Sequence, residues 1–102
     1  MGQHGSFEEA ELERLRSVGC LSAFARLDGY FKRDLTFVPT KDPNTERWHC
    51  ATAHRECELL VHGPKRYDTR TREGGGGSID LVMHLCQLDF VAAVKFLVGK
   101  GL

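Results

Sequence analysis

Short strand-forming segments in the middle of the chain constrain its fold more than any other feature of the sequence. These segments are rich in β-branched and aromatic residues, which suit a pleated, half-buried sheet. Turn chemistry separates them, because residues 39–44 predict a loop and His-Gly-Pro-Lys at 62–65 predicts a tight connection. Four such strands with brief links predict a small antiparallel sheet. The predicted strands are residues 35–38, 47–50, 58–62 and 65–69.

Helical patterns lie on both sides of this region. Ser6 and Glu9 have the spacing of a capping box at the start of the first helix. Near the C-terminus, Ser78 and Asp89 can each cap a helix with an apolar stripe. The order of helices, sheet and helices predicts an α+β fold. The predicted helices are residues 6–18, 21–27, 79–85 and 90–98.

A chain of 102 residues predicts one domain that can bury a core without disulfides or metal. We interpret residues 1–5 as a disordered terminus or tag remnant and residues 6–102 as the domain. No apolar run approaches the roughly 20 residues of a membrane span, and no secretory signal is visible, so a cytoplasmic protein is expected. The predicted core residues are Leu35, Phe37, Trp48, Leu60, Tyr67, Ile79, Val82, Phe90, Val94 and Leu97.

The cysteines do not predict a structural metal site. Their spacing is irregular and contains no Cys-x-x-Cys pair, so reduced thiols are expected. Four possible ligands within nine residues form an alternative zinc site, although neighbouring residues of one strand point to opposite faces. The cysteines are Cys20, Cys50, Cys57 and Cys86, and the alternative ligands are Cys50, His54, Cys57 and His49.

The second half of the chain contains Tyr-Asp-Thr-Arg-Thr-Arg-Glu at 67–73, four glycines, Ser-Ile-Asp-Leu-Val-Met at 78–83 and Asp-Phe-Val-Ala-Ala-Val at 89–94. This pattern resembles the second half of the N-terminal zinc-binding domain of bacterial and phage DNA primases. That family has an aromatic residue, a Cys-x-x-Cys pair, a glycine-bearing turn, an Ile-Asp-Phe helix start and a Phe-x-x-Ala-Val helix. The resemblance covers about a third of the chain. Its spacing fits without insertion, which favours a native glycine run over an inserted linker.

The resemblance breaks at the metal ligands. The family's two zinc-binding cysteines fall on Thr69 and Arg72, which are not zinc ligands. The family's Cys-x-x-His pair has only a loose counterpart in Cys50 and His54, separated by three residues. The resemblance therefore implies a zinc-ribbon-like sheet without its metal, and we expect no cofactor. The glycine run is expected to be a flexible turn before a helix.

The resemblance also implies a function in replication or in plasmid or mobile-element maintenance in a bacterium. In the family this domain contacts single-stranded DNA, and a separate domain catalyses polymerisation. The chain contains no nucleophile with an adjacent base and no phosphate-binding loop with its lysine. We therefore expect a binding domain rather than an enzyme.

Residues 63–72 form the predicted interface, with four cations against Asp68 alone, a local net charge of +3. Tyr67 lies among these cations, a combination suited to phosphate contacts with base stacking. Strand alternation places Arg66, Asp68 and Arg70 on one face and Lys65 and Tyr67 on the other, which leaves Tyr67 as either a stacking or a core residue. The predicted nucleic-acid-binding residues are Lys65, Arg66, Arg70, Arg72, Tyr67, Trp48, Arg47 and Arg55.

Two alternatives remain open. The cations can form an ordinary solvated face, or the chain can be a metal-free docking module for a primase, helicase or other replication protein. Fourteen basic and fourteen acidic residues cancel, whereas a dedicated DNA-binding domain is usually more basic. Salt separates the two functions, because phosphate contacts weaken with ionic strength and an apolar docking surface responds little.

Overall fold

The computed structural model describes residues 7–102 and confirms the α+β prediction. Five antiparallel strands form one sheet in the order of the chain, β1-β2-β3-β4-β5, with helices before and after it. The predicted cap at Ser6 and the interpretation of residues 1–5 lie outside the described residues. The elements are α1 Glu9–Arg16, α2 Cys20–Phe24, β1 Tyr30–Arg33, β2 Glu46–Ala51, β3 Glu56–His62, β4 Lys65–Asp68, β5 Glu73–Gly76, α3 Ser78–Cys86 and α4 Phe90–Gly99.

The first strand lies earlier in the chain than the residue types predicted. The strand at 35–38 is wrong, because β1 pairs with β2 through Tyr30–Arg33 and residues 35–38 lie in the following loop. Asp34 begins that loop, since its Oδ1 accepts hydrogen bonds from the amide and the hydroxyl of Thr36. Leu35 is consequently 84% exposed instead of being a core residue.

The glycine run forms the last strand of the sheet. The expected flexible turn is wrong, because Glu73–Gly76 is β5, which pairs with β4 in a register that sets Tyr67 opposite Gly74 and Arg66 opposite Gly75. The backbone of Gly77 then turns with a φ of 86° into α3. The glycines are therefore integral to the sheet edge and to the start of the helix.

The helices pack against one face of the sheet, called here the inner face. Buried residues alternate along β3, where Cys57, Leu59 and Val61 point inward. Of the predicted core residues, Leu35 and Tyr67 are exposed and Phe37, Trp48, Leu60 and Phe90 are partly buried. The buried apolar residues are Leu12, Leu15, Cys20, Ala23, Phe24, Leu27, Cys50, Cys57, Leu59, Val61, Ile79, Leu81, Val82, Leu85, Ala93, Val94 and Leu97.

One of the two predicted C-terminal caps has a different role. Asp89 caps α4, because its Oδ1 accepts from the amide of Ala92 at 2.8 Å. Ser78 is instead the first residue of α3, and its hydroxyl donates to the carbonyl of Leu15 at 2.6 Å. This buried hydrogen bond joins the N-terminal helix to the C-terminal half.

Between residues 7 and 102, no single helix has the length and apolar character needed to cross a bilayer. The pair α3 and α4 reaches that length together, but the two helices meet at an angle of 108°.

Candidate functional site

Side chains of β4 alternate between the two faces of the sheet. Arg66 and Asp68 point inward and are buried, whereas Lys65 and Tyr67 lie on the opposite, outer face. Tyr67 is 39% exposed, so it is a surface residue and the predicted alternative of a core tyrosine is wrong. The outer face of β4 therefore presents one cation and one aromatic ring side by side.

Arg66 belongs to the interior and not to this surface. Its guanidinium donates to both carboxylate oxygens of Asp80, at 2.9 and 3.3 Å, and to the carbonyl of Glu73 at 3.1 Å. A two-pronged contact of this kind fixes geometry as well as charge. Arg66 joins β4 to α3 and cannot reach a phosphate in this conformation, although the sequence grouped it with the surface cations.

The side chain of Arg47 is held by a local network on the outer face. It donates to Asp34 Oδ2 at 2.9 Å, lies 3.9 Å from Glu58 Oε2 and stacks over the Phe37 ring at 5.1 Å. Hydrogen bonds from Thr36 and then from Arg47 hold the pKa of Asp34 well below its usual range. The charge of Arg47, on a partly exposed side chain, is therefore paired with carboxylates of the protein itself.

Arg55 and Trp48 are likewise occupied by internal contacts. The Arg55 guanidinium donates to the carbonyl of His84 at 3.0 Å, which ties the β2–β3 turn to α3. The Trp48 ring packs on Phe24 with centroids 5.5 Å apart, and its indole donates to Glu46 at 3.0 Å. The structure thus separates both residues from the exposed part of the predicted interface.

Four predicted interface residues remain on the surface, namely Lys65, Tyr67, Arg70 and Arg72. Arg70 donates to the backbone carbonyl of Glu56 at 3.4 Å and lies 3.9 Å from the Glu56 carboxylate. Arg72 makes no ion pair with any residue from 7 to 102. Arg72 has a φ of 61°, which belongs to the tight turn between β4 and β5.

A shallow cavity adjoins the Tyr67 ring. It has a volume of about 210 Å³ and is lined mainly by Thr45, Leu60, His62, Lys65 and Tyr67. On the other side of the ring lies β5, where the outward positions Gly74 and Gly76 carry no side chain. This part of the outer face is a flat shelf with an exposed aromatic ring at its centre.

The histidines and cysteines predicted as alternative metal ligands do not come together as one set. His49 points outward and lies 3.6 Å from Asp34 and 3.7 Å from Glu58, and His54 is exposed in the β2–β3 turn. Cys50 and Cys57 are directly opposite each other in the register and are both buried on the inner face. The two cysteines are thus close together, and the two histidines lie elsewhere on the surface.

A different group of possible metal ligands lies next to these cysteines. Cys57, Asp68 and His84 are all buried, and one ligand atom of each lies within 4.8 Å of the other two. His84 Nε2 is 2.6 Å from Asp68 Oδ2, and Asp68 Oδ1 accepts from the amides of Arg70 and Thr71. This group, called here the buried Cys-Asp-His cluster, can hold a metal ion.

Asp68 and His84 are not among the predicted site residues, although the sequence holds a signal for each. Strand alternation already placed Asp68 on a common face with Arg66. His84 follows Leu81 by three residues, a helical spacing that places it beside the buried stripe of α3. A carboxylate and an imidazole that both point into a core need partners, and each is the partner of the other.

The cluster's acidic groups have shifted pKa values. Burial raises the pKa of Asp68, but hydrogen bonds from His84 and from the amides of Arg70 and Thr71 outweigh burial and lower it overall. The hydrogen bond between the two thiols lowers the pKa of Cys57 and, with burial, raises that of Cys50. Cys57 is therefore the thiol of the pair that more readily becomes a thiolate.

Comparisons with protein-family models, with curated proteins and with solved structures each find no match to this chain.

Proposed function

We propose that this chain is an accessory domain that binds single-stranded nucleic acid on the outer face of its sheet. The observation that carries the proposal is the exposed Tyr67 ring, set between Lys65 and the side-chain-free positions Gly74 and Gly76. An unpaired base can stack on such a ring, and every base has a π-face, so binding is tolerant of sequence. The proposed function is binding without a reaction, and it uses no cofactor.

The charges that support this proposal lie at both ends of β4. Lys65 begins the strand, and Arg70 and Arg72 lie in the turn that follows it. Tyr67 lies between these cations along the chain. A phosphate on either side of a base stacked on Tyr67 could therefore contact a cation at one end of β4. Because the other predicted cations are engaged internally, the interface is small and its affinity should be modest.

The sequence pattern at 67–94 also supports the proposal, since the resembling primase domain contacts the template strand. The implied context is replication, or maintenance of a plasmid or mobile element, in the cytoplasm of a bacterium. Duplex DNA fits the surface less well, because a base must be unpaired and unstacked to lie on the Tyr67 ring.

Fluorescence anisotropy of a labelled single-stranded oligonucleotide tests the proposal beside the same sequence as a duplex. We expect the single strand to bind more tightly and binding to weaken with salt. Tyr67→Ala should weaken binding by about 1–3 kcal/mol, the range for loss of one stacked base. The paired substitutions Arg70→Ala and Arg72→Ala should flatten the slope of log K against log salt by about 0.7 for each phosphate that is no longer neutralised.

Lys95→Ala is the matched charge control, because Lys95 is exposed on α4, away from the outer face of the sheet. Gly74→Val is a second probe, since a side chain added opposite Tyr67 narrows access to the ring without changing any charge. Equal losses for Lys95→Ala and the Arg70/Arg72 pair would contradict a localised interface. No single-strand binding at low salt would reject the proposed function.

A second candidate function is docking to a replication protein, and one observation favours it. Leu35 and Val38 are 84% and 77% exposed in the loop between β1 and β2, which is unusual for large apolar residues so close in sequence. Binding of a candidate helicase or primase that resists added salt, and that Leu35→Ser with Val38→Ser abolishes, would support docking in place of nucleic-acid binding.

A further inference from the structure

We propose that the buried Cys-Asp-His cluster, together with Cys50, is a site for Zn²⁺. The four donors would be the thiolates of Cys50 and Cys57, the Asp68 carboxylate and the His84 imidazole. Four separate elements supply one donor each: β2, β3, the end of β4 and the helix α3. This site is independent of the outer face, so its failure would leave the proposed nucleic-acid binding untouched.

The positions of three of the donors fit a small ion. One ligand atom from each of Cys57, Asp68 and His84 lies within 4.8 Å of the others, so an ion between them needs only side-chain adjustment. Zinc bonds of about 2.0–2.3 Å require the Asp68 oxygen and the His84 nitrogen to separate from their present 2.6 Å. Cys50 is outside this group of three, but it lies directly across from Cys57 in the register and is 1% exposed, which makes it the candidate for the fourth donor.

The donor types select the ion. Two thiolates, one imidazole and one carboxylate match the ligands that zinc accepts, whereas calcium and magnesium require mostly oxygen donors. Binding releases the two thiol protons, and His84 would bind through Nε2 as the neutral imidazole whose proton is on Nδ1. The Asp68 oxygen Oδ1 keeps its two backbone hydrogen bonds, which orient the carboxylate toward the ion.

The burial of the cluster favours a metal-binding role, because acidic groups that merely lie close together without an ion are commonly exposed. Asp68 is fully buried, the His84 side chain is 8% exposed and Cys57 is 3% exposed. The site also differs from the one that the primase resemblance implies. That site would use Cys50, His54 and the positions of Thr69 and Arg72, whereas His54 is exposed in the β2–β3 turn.

Cobalt substitution tests the site on the full chain. Reduced protein is titrated with Co²⁺ and its absorption is followed, and bound zinc per chain is measured by elemental analysis after dialysis. We expect one equivalent of metal, a thiolate-to-cobalt charge-transfer band and the intense visible bands of a tetrahedral complex. Zinc should displace the cobalt and raise the melting temperature of the protein.

The variants Cys57→Ser, Asp68→Asn and His84→Gln should each lose the cobalt spectrum or weaken metal binding by more than about tenfold. Cys50→Ser should weaken it and reduce the charge-transfer intensity by about half, because one of two thiolates is removed. His54→Ala and Cys86→Ser are matched controls with the same residue types outside the cluster and should bind as the parent does. Circular dichroism of each variant shows whether it folds.

Two results would overturn the site. The first is a folded, reduced parent chain that shows no thiolate-to-cobalt band, a measurement that does not depend on any variant folding. The second is loss of metal in His54→Ala with retention in His84→Gln, which would move the site to the β2–β3 turn. An unchanged spectrum in Cys50→Ser would overturn the part assigned to Cys50.

Discussion

At the scale of single residues, the contrast between Arg66 and its neighbours on β4 shows how one strand position decides a role. Arg66 and Lys65 are adjacent cations, yet one is 7% exposed and bound to Asp80 and the other lies on the outer face. A buried guanidinium is tolerated only because the carboxylate and a backbone carbonyl receive its hydrogen bonds. The two cations therefore have a structural and a surface role, respectively.

Asp80→Ala should lower the free energy of unfolding, because it leaves Arg66 buried with only the Glu73 carbonyl as a partner. Removing one member of a buried ion pair costs about 3–5 kcal/mol, and we expect the lower end since Asp80 is partly exposed. Glu56→Ala is the matched control, because Glu56 is exposed and 3.9 Å from Arg70, a pair worth about 0–1 kcal/mol. Urea unfolding measures the stability of both variants. Equal losses of stability would contradict a structural role for the Arg66–Asp80 ion pair.

At the scale of elements, the two faces of the edge strand β5 differ in whether they have room for a side chain. A β-carbon at Gly75 would collide with the carboxylate of Asp80, the group that binds Arg66. A β-carbon at Gly76 would meet nothing within 4 Å, because that position faces outward. The inward glycine thus makes room for an ion pair, and the outward glycine leaves the shelf beside Tyr67 bare.

Two single substitutions follow from this difference. Gly75→Ala should destabilise the fold by about 1–3 kcal/mol, since it displaces Asp80 from Arg66. Gly76→Ala should be neutral or stabilise by about 0.4–1 kcal/mol, because it lowers the entropy of the unfolded chain in an extended conformation that alanine adopts easily. Thermal and urea unfolding of the two variants gives the comparison. If both behave alike, the glycine run is a loose linker and β5 is not a fixed strand.

At the scale of the whole molecule, two carboxylates hold distant parts of the chain together. Asp34 anchors the loop after β1 to β2 through Arg47, and Asp68 anchors β4 to α3 through His84. Both carboxylates have a lowered pKa in the folded chain. A group whose folded pKa lies below its unfolded value stabilises the fold above the unfolded pKa, about 3.9 for Asp, and loses this contribution as pH falls through the folded pKa.

The melting temperature should therefore fall as pH is lowered from 7 toward 3, with most of the loss below about pH 5. Asp34→Asn should melt lower than the parent at pH 7 and should lose less on acidification, because it has no carboxylate to protonate. Asp28→Asn, at an exposed position, should follow the parent. A parent chain whose melting temperature is unchanged between pH 7 and pH 3 would contradict a stabilising role for the two carboxylates.

Local sequence patterns predict the parts of this protein that depend on neighbours along the chain. Apolar stripes and the cap at Asp89 predicted α3 and α4, strand formers and turn chemistry predicted β2, β3 and β4, and alternation predicted which β4 residues share a face. These features follow from backbone preference and residue period, which act over a few residues.

Three features depend instead on packing between distant parts of the chain: the segment that pairs beside β2, the glycine run that completes the sheet, and the polar residues that meet in the core. Residues 35–38 have strong strand formers, but Tyr30–Arg33 has the register that pairs with β2. Glycines have weak strand preference, yet β5 needs one at its inward position, because Asp80 leaves no room for a β-carbon at Gly75. Asp68 and His84 lie sixteen residues apart and touch only because α3 packs across β4, a contact that no local pattern encodes.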